Sequence, residues 1–169
     1  NQVLKSAKPL VTGESDTEMY RQLLVLASHS DHLWSDAHAM FEACRYATSV
    51  FLAIVCLEET AKMWIAWWQA LLQAGSRNDP LESTDSFTES RKRGLYSHAK
   101  KHLLAAGAGA IVNAHLDDVV GMERIVQFLD EVEDGKVEQL RQSCLYADHD
   151  GVKPVVPDER VSRRDAIFY

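Results

Sequence analysis

Apolar residues recur every three or four positions along most of the chain, the spacing of helices that bury one face. The pattern predicts four main helices over 17–43, 46–74, 89–113 and 116–144. The second is apolar nearly all round, which is typical of a helix in the middle of a bundle. The fourth has a natural break point at Asp134–Gly135. No strand pattern is found, so the prediction is an all-α, up-and-down bundle of four helices.

Three segments follow from this pattern. An N-terminal lead-in covers 1–16, a helical bundle covers 17–150, and a partly ordered C-terminal extension covers 151–169. Within the bundle, a loop is expected over 76–88, which lacks periodicity and is long for a connection between helices. The four tryptophans, Trp34 among them, stand at core spacing and are interpreted as packing residues.

Composition narrows the classes of function. A length of 169 residues fits one domain, and a net charge of −7 excludes a generally basic nucleic-acid coat, although not a local basic site. The three cysteines form no CxxC pair, as expected for a reducing cytoplasm and not for a zinc knuckle. No apolar stretch reaches the ~20 residues of a membrane span. A cytoplasmic protein without a membrane partner is therefore expected.

Charged residues interrupt the apolar second helix at Glu58, Glu59 and Lys62. At about 100° per residue, Lys62 falls between the two glutamates around the helix axis. They form either a solvated surface pair or a partly buried cluster whose further cations lie on the third helix. In the buried case, we expect Lys62 to neutralise the glutamates against His98 and Lys101.

The third helix carries a basic island. No acidic residue occurs between Ser90 and Leu116, and five of the eighteen basic residues lie there: Arg91, Lys92, Arg93, Lys100 and Lys101. Such an island on an acidic protein is either a surface that contacts RNA phosphates or a solvated face that balances Glu58 and Glu59. In the first case Arg91, Lys92 and Lys100 are the expected RNA-binding residues.

Four residues separate Arg93 from His98 within this island. An imidazole can remove a proton from a ribose 2′-hydroxyl, and a guanidinium can hold the adjacent phosphate. In a regular helix the two side chains would point about 140° apart, so Arg93 must precede the helix or act across a dimer. His98 and His102 could ligate a metal, but no third ligand accompanies them. Neither a metal nor a cofactor is expected.

Several motifs together resemble one family. They are Arg45-Tyr46-Ala47, Phe51-Leu52-Ala53, Leu57-Glu58-Glu59 with Lys62, His98 with Lys101, and Cys144-Leu145-Tyr146-Ala147-Asp148. This set resembles the AbiV family of bacterial abortive-infection proteins, a branch of the HEPN superfamily. The resemblance implies a four-helix bundle that forms a homodimer. Many HEPN proteins are metal-independent ribonucleases in which Arg-x4-6-His motifs of two copies meet at a dimer cleft.

The resemblance implies a role for each candidate residue. His98 would be the general base, and Arg93 and Lys101 would stabilise the charge on the phosphate. The residues Glu58, Glu59, Lys62 and His102 would support them. Arg91 competes with Arg93 for the motif arginine, and Gly94 departs from the polar residue that often follows it.

The implied function is anti-phage defence that acts on RNA or on the translation machinery. In its catalytic version the chain is a metal-independent endoribonuclease. Several HEPN branches are inactive, so a non-catalytic module that binds a phage or host protein is the alternative. A nucleotide-binding domain within a toxin–antitoxin system is a third possibility.

Overall fold

The computed structural model describes residues 14–75, 98–112, 120–149 and 151–169. Seven helices and two short strands occur in these ranges. They are α1 (Glu14–Glu42), α2 (Tyr46–Gly75), α3 (His98–Val112), α4 (Met122–Glu133), α5 (Lys136–Leu145), β1 (Asp148–His149), β2 (Pro154–Val155), α6 (Pro157–Arg160) and α7 (Arg163–Phe168). The predicted all-α class is confirmed.

The helix bounds follow the apolar pattern closely at the start of the chain. α1 and α2 correspond to the first two predicted helices, and α3 to the third from His98 onward. The segment 89–97 and the loop predicted over 76–88 lie outside the described residues. Over its described residues from Met122 onward, the fourth predicted helix is two helices, because Gly135 adopts a left-handed conformation (φ 73°) between α4 and α5. The start of that prediction, 116–119, lies outside the described residues.

A short pair of strands, for which the sequence shows no pattern, follows α5. β1 and β2 pair antiparallel, with Asp148 opposite Val155 and His149 opposite Pro154. Two residues per strand are too few to show an alternating pattern, so no strand signal is visible in the sequence.

α2 is the central helix, as its apolar composition predicted. It contacts α1, α3, α5, α6 and α7. A tight turn with Cys44 at a positive φ of 58° connects α1 to α2. Their packing includes a buried hydrogen bond in which the Ser49 hydroxyl donates to the carbonyl of Ala37 at 2.8 Å.

The main core lies between α2 and the C-terminal half of the chain. Its buried side chains are Ala47, Val50, Ile54, Val132, Val137, Cys144 and Val161. Val161 comes from the segment that the sequence sets apart as an extension, and Tyr169 packs against the same core. The Tyr169 hydroxyl also donates to the Glu131 carboxylate. These contacts attach the C-terminal residues to the bundle.

α1 exposes much of its predicted apolar stripe. Trp34 is 58% exposed and Tyr20 is 57% exposed, so the packing interpretation is wrong for Trp34. α1 packs chiefly on α2, and its fully buried apolar residue is Ala37. Periodicity identifies the apolar face of a helix, but it does not show how much of that face a neighbour covers. None of the described helices is long and apolar enough to cross a bilayer.

Candidate functional site

A buried carboxylate on α2 binds three side chains of α3. Glu58 is 6% exposed, and its Oε1 lies 2.6 Å from Nδ1 of His98. Its Oε2 lies 3.6 Å from Nζ of Lys101. Nε2 of His102 lies 3.3 Å from Oε1. The interaction is not aligned as a hydrogen bond, and His102 Nε2 has no hydrogen-bond partner among the described residues. Glu58 therefore joins the two helices through charge and hydrogen bonding.

Helical spacing explains how one carboxylate meets three partners. His98, Lys101 and His102 stand at positions i, i+3 and i+4, which share one face of an α-helix. Lys101 and His102 are buried at 6% and 1% exposure, whereas the His98 side chain is 40% exposed. The cluster thus has a buried interior and one imidazole that reaches the surface.

The electrostatics of Glu58 reflect this environment. Burial raises the pKa of the carboxyl, but the nearby His102 and His98 outweigh it and hold the pKa at about 2. Glu58 is therefore ionised at neutral pH although it is buried. A charged group in such a position must keep its partners, because an isolated buried charge is strongly unfavourable.

Within the described ranges, Lys62 pairs with Glu59 alone, and not with both glutamates as the sequence predicts. Its Nζ lies 2.5 Å from Oε1 of Glu59, three residues earlier on the same helix. The Lys62 side chain is 34% exposed and that of Glu59 is 14% exposed. The charged residues of α2 therefore take part in two separate sets of contacts, and not in the single cluster that was expected. Glu58 is buried against α3, and Glu59 pairs with Lys62 at the edge of the helix contact.

The basic candidates have different surroundings. Arg91, Lys92 and Arg93 lie outside the described residues. Lys100 is exposed. Lys101, expected to stabilise phosphate charge, has a side chain only 8% exposed, so little of it can meet a ligand. Its contact with Glu58 indicates a supporting position.

A further ion pair, which the sequence does not predict as part of the site, lies on α5. Arg141 on α5 donates from Nε and Nη2 to the two carboxylate oxygens of Glu138, each at 2.8 Å. These bonds hold the pKa of Glu138 at about 2, with a smaller contribution from the charge of His98. The Glu138 and Arg141 spacing of three residues predicts a helical pair. Nothing in the sequence places that pair near His98.

The described residues hold no group of three or more His, Cys, Asp or Glu side chains arranged to bind a metal ion. The arrangement of Glu58 and His98 is instead that of a carboxylate that orients an imidazole. Such a pair can exchange a proton with a ligand at the other ring nitrogen.

Comparison with known families identifies the relatives of the chain. A family model described as AbiV, within the HEPN group, matches residues 20–169. The chain belongs to the AbiV family. This membership indicates a HEPN-type function in abortive infection, and the AbiV match includes both α2 and α3 with the Glu58 cluster. No curated protein and no solved structure matches this AbiV-family chain.

Proposed function

We propose that this AbiV-family chain acts on RNA as a metal-independent endoribonuclease in anti-phage defence. His98 removes the proton of a ribose 2′-hydroxyl, and the 2′-oxygen attacks the adjacent phosphorus. The bond from phosphorus to the 5′-oxygen of the next nucleotide breaks, and that oxygen takes a proton from solvent water as it leaves. His98 then returns its proton to the solvent. The products are a 2′,3′-cyclic phosphate and a 5′-hydroxyl end.

The contact between Glu58 and His98 is the observation that carries this proposal. The carboxylate engages Nδ1 at 2.6 Å, which leaves Nε2 as the nitrogen that exchanges a proton with a substrate. Glu58 also stabilises the positive charge that the ring acquires when it accepts that proton. The 40% exposure of the His98 side chain allows RNA to reach it.

The neighbouring residues act as positioning residues in this proposal. Lys101 and His102 fix Glu58 from the buried side, so the carboxylate keeps one orientation toward His98.

Arg93 supplies the guanidinium that holds the phosphate. It comes from the segment before α3 or from a second copy, and we propose a homodimer that brings two such sites together.

RNA-end sequencing tests the catalytic step. The purified chain is incubated with total RNA and excess EDTA, and ends that carry a 2′,3′-cyclic phosphate are sequenced selectively. The wild type produces new ends, and His98→Ala does not. His38→Ala is the matched control, because His38 is an exposed histidine of α1. Cleavage that persists in His98→Ala, or cleavage by neither protein, overturns the proposal.

A second candidate function is the binding of a phage or host protein without catalysis. The large exposed apolar side chains of α1 favour it: Tyr20, Leu24, Val25 and Trp34. In that case growth arrest by the expressed chain survives in His98→Ala and is lost in Trp34→Ala. The catalytic proposal requires the reverse result.

A further inference from the structure

A cleft lies between α4 and α7, and none of the Glu58 cluster residues lines it. Its volume is about 470 Å³, within the usual range of small-molecule sites. Three arginines line it, Arg124 from α4 and Arg163 and Arg164 from α7, together with the aromatic residues Phe168 and Tyr169. A cleft of this composition combines positive charge with ring surfaces.

Within the described part of the chain, two of the three arginines lie over aromatic rings and not in ion pairs. Among the described residues, none of the three guanidinium groups forms an ion pair. Arg124 instead lies over the ring of Phe168, with its guanidinium carbon 5.9 Å from the ring centre. Arg163 lies in the same manner over Phe41, at 5.6 Å. Guanidinium groups held in this way keep their N–H donors available to an anion.

The two carboxylates in the same wall already have other donors. Glu131 accepts hydrogen bonds from the Tyr169 hydroxyl and from Nε2 of Gln127. Asp165 accepts from the backbone N–H and the hydroxyl of Ser162, both at 2.7 Å. Counted over side chains alone, three arginines and two carboxylates line the cleft, an excess of one positive charge.

An apolar cavity of about 190 Å³ adjoins the cleft. The two cavities share Arg124, Phe168 and Tyr169 as walls. Beyond these, apolar side chains line the smaller cavity, including Leu57, Ala105 and Phe128. A ligand that spans both would place an anionic group among the arginines and a flat apolar group beside the rings.

We propose that this cleft binds a ribonucleotide phosphate, either a free nucleotide or a nucleotide within an RNA strand. The guanidinium groups bind phosphate oxygens, for which their paired N–H donors are suited. The base lies against the aromatic side of the cleft, where stacking adds affinity. The proposal does not require cleavage at His98, because it concerns binding at other residues.

Binding of two probes tests the proposal on the intact chain that carries His98→Ala, so that cleavage cannot alter the RNA. One probe is ADP, measured by calorimetry, and the other is a fluorescein-labelled hexa-adenylate RNA, measured by anisotropy. Arg164→Gln is the first variant, because its side chain makes no ion pair with the rest of the described protein. Arg124→Gln with Arg164→Gln is the second. Arg21→Gln is the control, since Arg21 is an exposed arginine of α1 paired with Glu18.

We expect Arg164→Gln to weaken binding by about fivefold and the double variant by about tenfold or more. Arg21→Gln should stay within about twofold of the parent. Binding of ADP supports a free nucleotide, and binding of the RNA alone supports an RNA strand. The proposal is overturned by no binding of either probe, by a loss in the double variant no greater than that in Arg21→Gln, or by equally strong competition from inorganic phosphate. Tighter binding of an acidic phosphopeptide than of both probes also overturns it.

Discussion

His98 of α3 and Glu58 of α2 are 40 residues apart in the chain, yet Nδ1 of one lies 2.6 Å from Oε1 of the other. This contact connects the exposed imidazole to a buried charge, so chemistry at the surface depends on the packing of two helices. Because Glu58 is buried and charged, its contacts can be tested by measuring the stability of the protein, without knowledge of the substrate.

Glu58→Gln should lower the free energy of unfolding by about 3–5 kcal/mol, because it leaves Lys101 buried without a charged partner. Urea denaturation at neutral pH measures the difference. Glu59→Gln is the matched control one residue along the helix. Its partner Lys62 is 34% exposed, so its loss should be about 0–1 kcal/mol. Equal losses in both variants would contradict the assignment of Glu58 as the central carboxylate.

Lys62→Met should change the free energy of unfolding by less than about 1 kcal/mol, since Lys62 belongs to a partly exposed pair. Lys101→Met, which removes the buried ammonium group, should exceed that value. Thermal melting of the two variants side by side gives the ranking. A larger effect for Lys62→Met would show that its charge, and not that of Lys101, neutralises the buried carboxylate.

The depressed pKa of Glu58 predicts a pH window for its contribution. The carboxyl has an ordinary pKa of 4.5 and a pKa of about 2 in the folded chain. Its stabilisation is therefore complete above pH 4.5 and is lost as the pH falls toward about 2. The stability difference between wild type and Glu58→Gln should shrink across this range in urea titrations. A difference that stays constant there would contradict the ionised, paired state of Glu58.

The cysteines should differ in reactivity toward a thiol reagent. Burial raises the pKa of Cys144 to about 11, whereas Cys44 is exposed in the turn between α1 and α2. At about pH 8 only about one Cys144 in a thousand would be a thiolate, so Ellman's reagent should modify Cys44 first. Peptide mass spectrometry after timed quenching identifies the site. Cys44→Ser should remove the fast phase, and rapid labelling of Cys144 in the folded chain would oppose its burial.

Much of the fold could be predicted from the sequence, because helical periodicity and the position of Gly135 are local signals. The interruption of α2 by charge also indicated that some carboxylate there could be buried against α3. Which glutamate faces inward could not be predicted, since Glu58 and Glu59 differ by one position and the approach of α3 decides between them. The spacing of residues does not show which distant segments lie close together, such as the Glu138–Arg141 pair and His98.

The cluster also determines how α3 can lie along α2. Beyond Leu103 and Leu104, α3 continues with small residues, among them Ala105, Ala106 and Gly107. Such a surface has few projections, and by shape alone it would tolerate a shift along its neighbour. A shift of one helical turn, about 5.4 Å, would leave the buried charge of Glu58 with fewer of these partners. The ionic contacts at the start of α3 therefore favour one register of α3 along α2.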